Sequence, residues 1–228
     1  MEGFGELNLL DYDAIIFDLD GTILDSSDDV MLCLEEAFDK EKLQINKSKL
    51  THNIIGPPLD KIAKSVLSTL TDEQANKIVD NYNEIYDSEK YDSSRMYSGM
   101  FQLLVELKEA GKKLFIATYK PDFSTHRLIK KFNLTMFDDI YTIDKYQDKT
   151  LTKKEMLLEI IEKYNLNKTK TIMIGDALGD ILAAKANEIT AVGALWGYGD
   201  YKQPLIDNAD YSIDSVENLK NDFLKELI

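Results

Sequence analysis

The sequence predicts an α/β protein: a doubly wound, Rossmann-like parallel sheet with an all-α segment inserted after the first strand. Three observations predict this fold. The apolar run Asp13–Phe17 leads into two acidic residues and a glycine, as a buried strand entering a loop does. After Gly99, strand-like and helix-like segments alternate, which indicates a parallel sheet with helices on both faces. Between these regions, from about residue 28 to residue 91, the periodicity is helical.

After Gly99, each element follows from its own apolar pattern. Helices are expected where apolar residues recur every three or four positions, and Gly111 ends the first of them. In chain order we expect helix 100–110, strand 113–118, helix 123–132, a weak strand 139–143, helix 152–164, strand 171–174, helix 178–187, strand 189–194, a short strand near 209–213 and a helix from Val216.

The helical insert is predicted from apolar residues at helical spacing. They are Val30, Leu34, Ala37 and Phe38; Ile62, Val66 and Leu67; and Ile78, Tyr82 and Ile85. Gly56-Pro57-Pro58 breaks this pattern and marks a loop between two helices. We therefore expect a core domain of residues 1–23 and 95–228 and a helical cap domain of residues 24–94.

Composition limits the function. The 228 residues are 44% hydrophobic, enough for one large domain or for a core with a smaller insert. The net charge of −14 disfavours nucleic-acid partners. We expect no secretory signal and no membrane segment, because no apolar run approaches the ~20 residues that a membrane helix needs. Cys33 is the single cysteine, so we expect no intrachain disulfide and a cytoplasmic protein.

The strongest chemical motif is Asp18-Leu19-Asp20-Gly21-Thr22. Two carboxylates two residues apart suit a nucleophile, Asp18, that attacks phosphorus and a general acid/base, Asp20. Gly21 permits a sharp turn that brings backbone amides near an anion. The alternative is an acidic loop that caps a helix or binds calcium, but an EF-hand has its glycine at the sixth loop position.

Two weaker pieces are expected at the same sheet edge. Thr118 can donate a hydroxyl to a phosphate, although an ordinary strand end before Pro121 explains it as well. One of Lys149, Lys153 and Lys154 would offset clustered carboxylates, unless each is only a solvated lysine at a helix start.

Asp176 and Asp180 form the last piece, after the predicted strand 171–174. Acids four residues apart at a helix start share one face, and a carboxylate-rich site suits magnesium. The cation would neutralise charge on the phosphoryl oxygens. The alternative is that these acids only cap the helix.

Together these motifs resemble the haloacid-dehalogenase superfamily of phosphohydrolases, and within it the phosphoglycolate-phosphatase-like branch. The resemblance rests on Asp18–Thr22 as D-x-D-G-T, on Thr118, and on Asp176 with Asp180 as G-D-x-x-x-D. Two other segments also look like this branch: Trp196-Gly197-Tyr198-Gly199 and Gly56-Pro57-Pro58-Leu59. The resemblance implies a magnesium-dependent phosphatase that forms an aspartyl-phosphate and has a type C1 helical cap.

The resemblance also implies residue roles. Asp18 is nucleophile and metal ligand, and Asp20 is acid/base and binds magnesium through its backbone carbonyl. Asp176 is a metal ligand. Asp180 either contacts a group that binds the metal or binds the metal through water. Lys153 fits the lysine motif best. The lysine of the K-P form falls about two residues earlier, so Lys149 remains open.

Phosphate and substrate contacts are implied at five positions: Gly21, Thr22, Tyr119, Lys120 and, in a cap loop facing the site, Pro57. Tyr119 departs from the usual Asn or Ser and makes the wall beside the phosphate bulkier.

The substrate and the oligomeric state stay open in the sequence. We expect a small phosphorylated metabolite as partner of a monomer or homodimer; phosphoglycolate, nucleotides, pyrophosphate and sugar phosphates all remain candidates. A phosphosugar mutase is an alternative, weakened because Asp28-Asp29-Val30-Met31 holds no basic residue. A non-catalytic phosphate- or magnesium-binding module is another, but the core motif residues are all present, and a receiver domain is shorter and has no insert.

Overall fold

The computed structural model describes residues 7–198 and 202–224, with side chains described as far as Lys220. Its strands are β1 Ala14–Phe17, β2 Leu24–Asp25, β3 Arg95–Met96, β4 Lys113–Ala117, β5 Asp139–Tyr141, β6 Thr171–Gly175, β7 Thr190–Ala194 and β8 Tyr211–Ile213. Its helices are α1 Ser27–Lys40, α2 Leu59–Val66, α3 Asp72–Asp87, α4 Met100–Glu109, α5 Asp122–Lys131, α6 Lys153–Lys163, α7 Leu178–Ala186, α8 Lys202–Asn208 and α9 Val216–Leu224.

Strand β1 lies at the centre of a parallel sheet with the order β5-β4-β1-β6-β7-β8. Phe17 pairs in register with Ile116 of β4 on one side and with Ile174 of β6 on the other. The chain therefore winds outward from β1 in both directions, which confirms the predicted doubly wound α/β core. The carboxyl ends of β1, β4 and β6 are neighbours at one edge of the sheet.

Helices cover both faces of the sheet. Ile15 and Phe17 pack into one apolar cluster with residues of α4 and α9, while Ala14 and Ile16 pack into another with residues of α6 and α7. Because β1 is buried on both faces, its sequence is a continuous apolar run rather than an alternating one.

Helices α1, α2 and α3 form a third apolar cluster of their own. Helix α3 begins at a capping box, in which Thr71 and Gln74 each accept a hydrogen bond from the other's backbone amide. The chain enters and leaves these helices through the short antiparallel pair β2–β3, where Asp25 and Arg95 form an ion pair of 2.7 Å. Gly56-Pro57-Pro58 lies in the loop before α2, as the sequence predicts.

Three elements were not predicted from the sequence: β2, β3 and α8. The two strands have two residues each, too short to produce a periodic pattern. Helix α8 buries Leu205 alone among its seven residues, so its apolar signal is weak. The other predicted ends agree with the structure to within about two residues, the usual ambiguity of helix and strand termini. Within the described ranges, every helix is too short or too polar to cross a bilayer.

Candidate active site

The sheet edge brings the motif residues together. Asp18 follows β1 directly, Thr118 follows β4 and Asp176 follows β6. The backbone amide of Asp18 donates to Ile174 O at 2.9 Å, and that of Thr118 donates to Tyr141 O at 2.8 Å. Asp18 and Thr118 are thus each held by a hydrogen bond that continues the ladder just past the end of the strand.

Lys153 is the ammonium of the site. Its Nζ lies 2.8 Å from Asp18 Oδ1, 2.8 Å from Asp180 Oδ1 and 2.8 Å from the carbonyl oxygen of Ala117. The side chain is only 4% exposed. A capping box made by Thr152 and Glu155 starts α6 and places Lys153 at its first position.

Lys149 and Lys154 do not reach this cluster. Half-exposed Lys149 forms ion pairs with Glu155 and Glu159 on the outside of α6. Lys154 is exposed and forms no ion pair within the described chain. Of the lysines that the sequence left open, the structure brings Lys153 alone to the carboxylates, within its described part.

Asp18, Asp176 and Asp180 are buried and offer carboxylate oxygens within 4.8 Å of one another. Burial raises the pKa of Asp18 to about 7; Lys153 opposes this shift, and Asp180 and Asp20 add to it. Burial, followed by the charges of Asp18 and Asp180, also raises the pKa of Asp176 well above its usual value. Three crowded carboxylates share one ammonium, and a bound cation would relieve this excess of negative charge. The residues therefore fit a metal ion.

Asp176 fits this space because two glycines face it. A Cβ on Gly21 would lie 2.1 Å from Asp176 Oδ2, and one on Gly197 would lie 2.3 Å from Asp176 Cβ. Gly21 also adopts φ +84°, a left-handed conformation that favours glycine. Any side chain at either position would displace Asp176.

Asp180 both caps α7 and pairs with the ammonium of the site. Its Oδ2 accepts a hydrogen bond of 3.2 Å from the amide of Ala177 and so caps α7, while its Oδ1 pairs with Lys153. Both oxygens thus have protein partners.

The carboxylate of Asp20 has its partners outside the three-carboxylate cluster. Its Oδ1 accepts a 2.5 Å hydrogen bond from Ser26 Oγ, and its two oxygens lie 3.4 and 3.2 Å from Lys120 Nζ. Lys120 is buried, and its ammonium lies 4.1 Å from the centre of the Tyr86 ring of α3. Lys120 therefore joins Asp20 to the helical region, a contact that the motif pattern did not reveal.

Tyr198 and Trp196 support the nucleophile loop, and sequence reasoning gave neither a role. The Tyr198 hydroxyl accepts from the amide of Ser26 at 2.6 Å, and its own amide donates to Asp176 Oδ2 at 3.1 Å. Trp196 Nε1 donates to the carbonyl oxygen of Thr22 at 3.0 Å. The only signal was the likeness of residues 196–199 to the family branch; Gly199 of that segment lies outside the described residues.

Two groups at predicted phosphate-contact positions already have protein partners. The amide of Gly21 donates to Leu24 O at 2.7 Å, and the buried hydroxyl of Thr22 donates to Asp176 Oδ1 at 3.1 Å. The amide of Gly21 thus has its partner within the nucleophile loop, and the hydroxyl of Thr22 has its partner on the loop after β6. The amides of Leu19 and Asp20 make no hydrogen bond within the described chain, so they are the donors available to an anion.

Thr118 and Tyr119 begin the loop after β4. Thr118 Oγ1 accepts from the amide of Lys120 at 3.1 Å, which leaves its proton free to donate outward. The Tyr119 hydroxyl accepts from the amide of Lys153 at 3.0 Å, and its ring centre lies 5.3 Å from Lys153 Nζ. Tyr119 is thus a wall of the site and also a support for α6.

A cavity of about 50 Å³ lies over Asp18 and Asp20. Thr118, Tyr119 and Lys120 line it from the core, and the cap residues that line it include Pro57. The structure therefore brings the predicted cap loop to the same space as the carboxylates.

Comparison with known proteins gives a consistent result. The family described as haloacid dehalogenase-like hydrolases matches residues 15–194. A phosphoglycolate phosphatase from Mannheimia succiniciproducens is 28% identical, with 86% of this chain and 91% of that protein covered. A solved structure from Clostridium acetobutylicum, described as a predicted phosphatase, is 29% identical, with a TM-score of 0.82 over 91% of this chain and 96% of that one.

A third relative is longer. The tyrosine-protein kinase PtkA of Mycobacterium tuberculosis is 24% identical over 81% of this chain, and the match spans 62% of its own length.

Proposed function

The chain belongs to the haloacid dehalogenase-like hydrolases, and on that premise we propose that it is a magnesium-dependent phosphatase that hydrolyses small phosphomonoesters through an aspartyl-phosphate on Asp18. One observation carries the proposal: buried Asp18 is held by Lys153 in a cluster with Asp176 and Asp180, beside the separate carboxylate of Asp20. This arrangement supplies a nucleophile, a cation site and an acid/base within one cleft.

Asp18 has one oxygen for positioning and one for chemistry. Oδ1 is paired with Lys153, while Oδ2 makes no hydrogen bond within the described residues. Oδ2 attacks phosphorus, a bond forms between them, and the bond from phosphorus to the ester oxygen breaks. The outward Thr118 hydroxyl binds a phosphoryl oxygen, while the Lys153 ammonium, whose three donors have protein partners, supplies positive charge beside the transferring group.

Asp20 moves the proton in both half-reactions. It first donates a proton to the departing ester oxygen. It then accepts a proton from a water molecule, whose oxygen attacks phosphorus and releases phosphate and free Asp18. The hydrogen bond from Ser26 and the Lys120 ammonium fix the position of Asp20 for both steps.

Magnesium would be held by Asp18 and Asp176, with the backbone carbonyl of Asp20 as the expected third protein ligand. Asp180, whose Oδ1 pairs with Lys153 and whose Oδ2 caps α7, would act through water. Few carboxylates and several waters are the usual surroundings of magnesium. The bound ion would supply neutralisation of the charge on the phosphoryl oxygens.

Residues 24–94 would serve as the cap domain, with residues 1–23 and 95–228 as the core. The β2–β3 pair is the base on which the cap would close, since the chain crosses between the two regions there. Closure would exclude bulk water from the aspartyl-phosphate. The single thiol, Cys33, is buried, and we place the protein in the cytoplasm, acting on a small phosphorylated metabolite as a monomer or homodimer.

The test is phosphate release from para-nitrophenyl phosphate, with magnesium or with excess chelator. We expect release with magnesium, none after chelation, and none from Asp18→Asn, which should retain the wild-type circular dichroism spectrum. Full activity of folded Asp18→Asn would contradict the nucleophile, and full activity after chelation would contradict the metal. Isomerisation of a sugar phosphate without release of free phosphate would favour the mutase instead.

A further inference from the structure

Resting on the proposed phosphatase function, we propose that this site selects phosphomonoesters whose leaving group is uncharged and largely apolar, and that it discriminates against esters carrying a carboxylate beside the phosphate. The inference concerns the wall of the cleft opposite Asp18, which the catalytic mechanism does not use.

The cavity over Asp18 and Asp20 has an apolar cap wall. Four aliphatic side chains of the cap line it: Val30 of α1, Ile55, and Leu59 and Ile62 of α2. Tyr82 of α3 and Tyr119 add two aromatic rings. A leaving group that departs from phosphorus into this space contacts hydrocarbon on most sides, which favours apolar groups.

The lining offers no free cation to a carboxylate. Lys120 is the lining's one cation within the described chain, its side chain is 4% exposed, and its ammonium is paired with Asp20. A substrate carboxylate would have to share that ammonium with Asp20 while lying near Asp18. Burying a further negative charge there, without a cation of its own, opposes binding.

The nearby lysines of the cap are engaged elsewhere. Lys61 pairs with Asp60 at 3.3 Å, and Lys64 pairs with Asp72. Lys49 donates to the carbonyl oxygen of Val66 at 3.2 Å. None of these three lysines lines the cavity, so the cap as described does not supply the missing charge.

One neutral polar group remains open. The Tyr82 hydroxyl makes no hydrogen bond within the described residues, whereas Ser124 Oγ donates to Asp87 Oδ1 at 2.7 Å. Tyr82 can therefore receive one uncharged polar atom of a leaving group, such as a hydroxyl or a carbonyl oxygen.

Larger leaving groups can extend beyond the cavity. A groove of about 500 Å³ adjoins it and shares Ile55, Pro57 and Tyr119 as lining residues. Its lining includes Leu178 and Leu205 and also the carboxylates of Asp176 and Asp180, so the groove offers apolar contacts and its described lining holds no lysine or arginine. The inference therefore covers both small aliphatic and ring-bearing groups, provided they are neutral.

Two matched pairs of esters test this preference in wild-type protein with magnesium. Isobutyl phosphate has the shape of phosphoglycolate without its carboxylate, and benzyl phosphate is the neutral partner of para-carboxybenzyl phosphate. In each pair we expect kcat/KM to be higher by about tenfold or more for the ester with the uncharged leaving group, since juxtaposed like charges are strongly disfavoured. Comparing isobutyl phosphate with benzyl phosphate shows whether a small or a ring-bearing leaving group fits better.

A lysine placed in the lining should weaken the preference. Leu59→Lys at the start of α2 should narrow the ratio in both pairs by about tenfold, because it adds the missing cation. Thr69→Lys adds the same charge at an exposed position off the cavity and should leave the ratios unchanged. Equal narrowing by both variants would mean that net charge, not the lining, sets the preference.

The wild-type measurement decides the proposal even if a variant fails to fold. If phosphate esters whose leaving group carries a carboxylate are hydrolysed as fast as those whose leaving group is uncharged, the selectivity is overturned and the phosphatase function still stands. No magnesium-dependent hydrolysis of any ester, including para-nitrophenyl phosphate, would instead overturn the proposed function and this inference with it.

Discussion

The two walls of the cleft differ in chemistry. The core wall is charged: Lys153 pairs with Asp18 and Asp180, and the carboxylate of Asp176 lies beside them. The cap wall is largely hydrocarbon, and Leu59 is typical of it. The difference separates two tasks: the core wall would act on the phosphoryl group, which all candidate substrates share, and the cap wall would select the group that leaves.

After loss of the nucleophile Asp18 itself, the largest expected effect on the core wall comes from Lys153→Met. Asp18 and Asp180 would lose their common ammonium and face each other unpaired. We expect kcat/KM to fall by about 10²–10³-fold, the usual loss when one preorganised donor is removed. Phosphate-release kinetics measure this.

Lys149→Met is the matched control, because it removes an ammonium that only pairs with Glu155 and Glu159 at the surface. It should retain nearly wild-type rates. A comparable loss in both variants would mean that Lys153 is not the special lysine and that the core wall is less specific than its geometry implies.

Lys120 lies where the two walls meet, and Lys120→Met should give the next largest effect. Without the ammonium, Asp20 keeps the hydrogen bond from Ser26 but loses its cationic partner and the link to Tyr86. We expect kcat to fall by about ten- to a hundredfold, within the range for a misplaced acid/base.

Lys120→Arg should recover much of the lost rate, because it restores a cation beside Asp20. If the methionine variant kept the wild-type kcat and changed only KM, Lys120 would act on substrate binding rather than on Asp20.

The charge of the core wall should destabilise the metal-free protein as pH rises. Burial raises the folded-state pKa of Asp18 from 3.8 to about 7. Its stabilising contribution is therefore present in full below its unfolded pKa and is lost as pH rises through about 7.

Melting temperatures of wild type and Asp18→Asn, in chelator, measure this contribution. From about pH 5 to about pH 8, the variant should gain stability relative to wild type, because it has no carboxylate to ionise. Magnesium should reduce the gain by stabilising the wild type. A difference that is constant with pH would contradict the raised pKa.

The smallest effect is expected at the base of the cap. Buried Asp29 of α1 accepts hydrogen bonds from the backbone amide and the hydroxyl of both Ser93 and Ser94, where the chain returns to the core. Burial opposes its charge, yet these bonds lower the pKa of Asp29.

Asp29→Asn should lower the free energy of unfolding by about 1–3 kcal/mol, as expected when bonds to a buried charged group are lost. Chemical denaturation measures this, and exposed Asp28→Asn, one residue away, should have little effect. Equal losses in the two variants would mean that these hydrogen bonds do not anchor the returning chain.

The core wall could be predicted from sequence because the sheet does the positioning. Asp18, Thr118 and Asp176 each follow a strand end, so predicting the strands predicts that the three residues meet. The partner of a side chain does not follow from such a rule. The pairing of Asp20 with Lys120 spans one hundred residues of sequence, and the hydroxyl of Thr22 looked free in the motif but lies beneath Asp176.

The cap wall was less predictable for the same reason. Helical periodicity identified Val30, Ile62 and Tyr82 as apolar positions of amphipathic helices. It did not distinguish residues that pack inside the cap from those that also face Asp18. That distinction depends on how the helices dock on the core, which local pattern does not encode.

The most direct test of the central claim is to trap the phosphorylated enzyme. In the Asp20→Asn variant, Asp18 should still attack the phosphorus of an ester with a good leaving group, such as para-nitrophenyl phosphate. Phosphate release should then be slow, because no base activates water. After acid quench, mass spectrometry should find one added phosphoryl group, located on Asp18 and absent from the Asp18→Asn, Asp20→Asn double variant. A phosphoryl group on another residue, or a burst of para-nitrophenol from Asp20→Asn with no phosphorylated protein, would contradict the account.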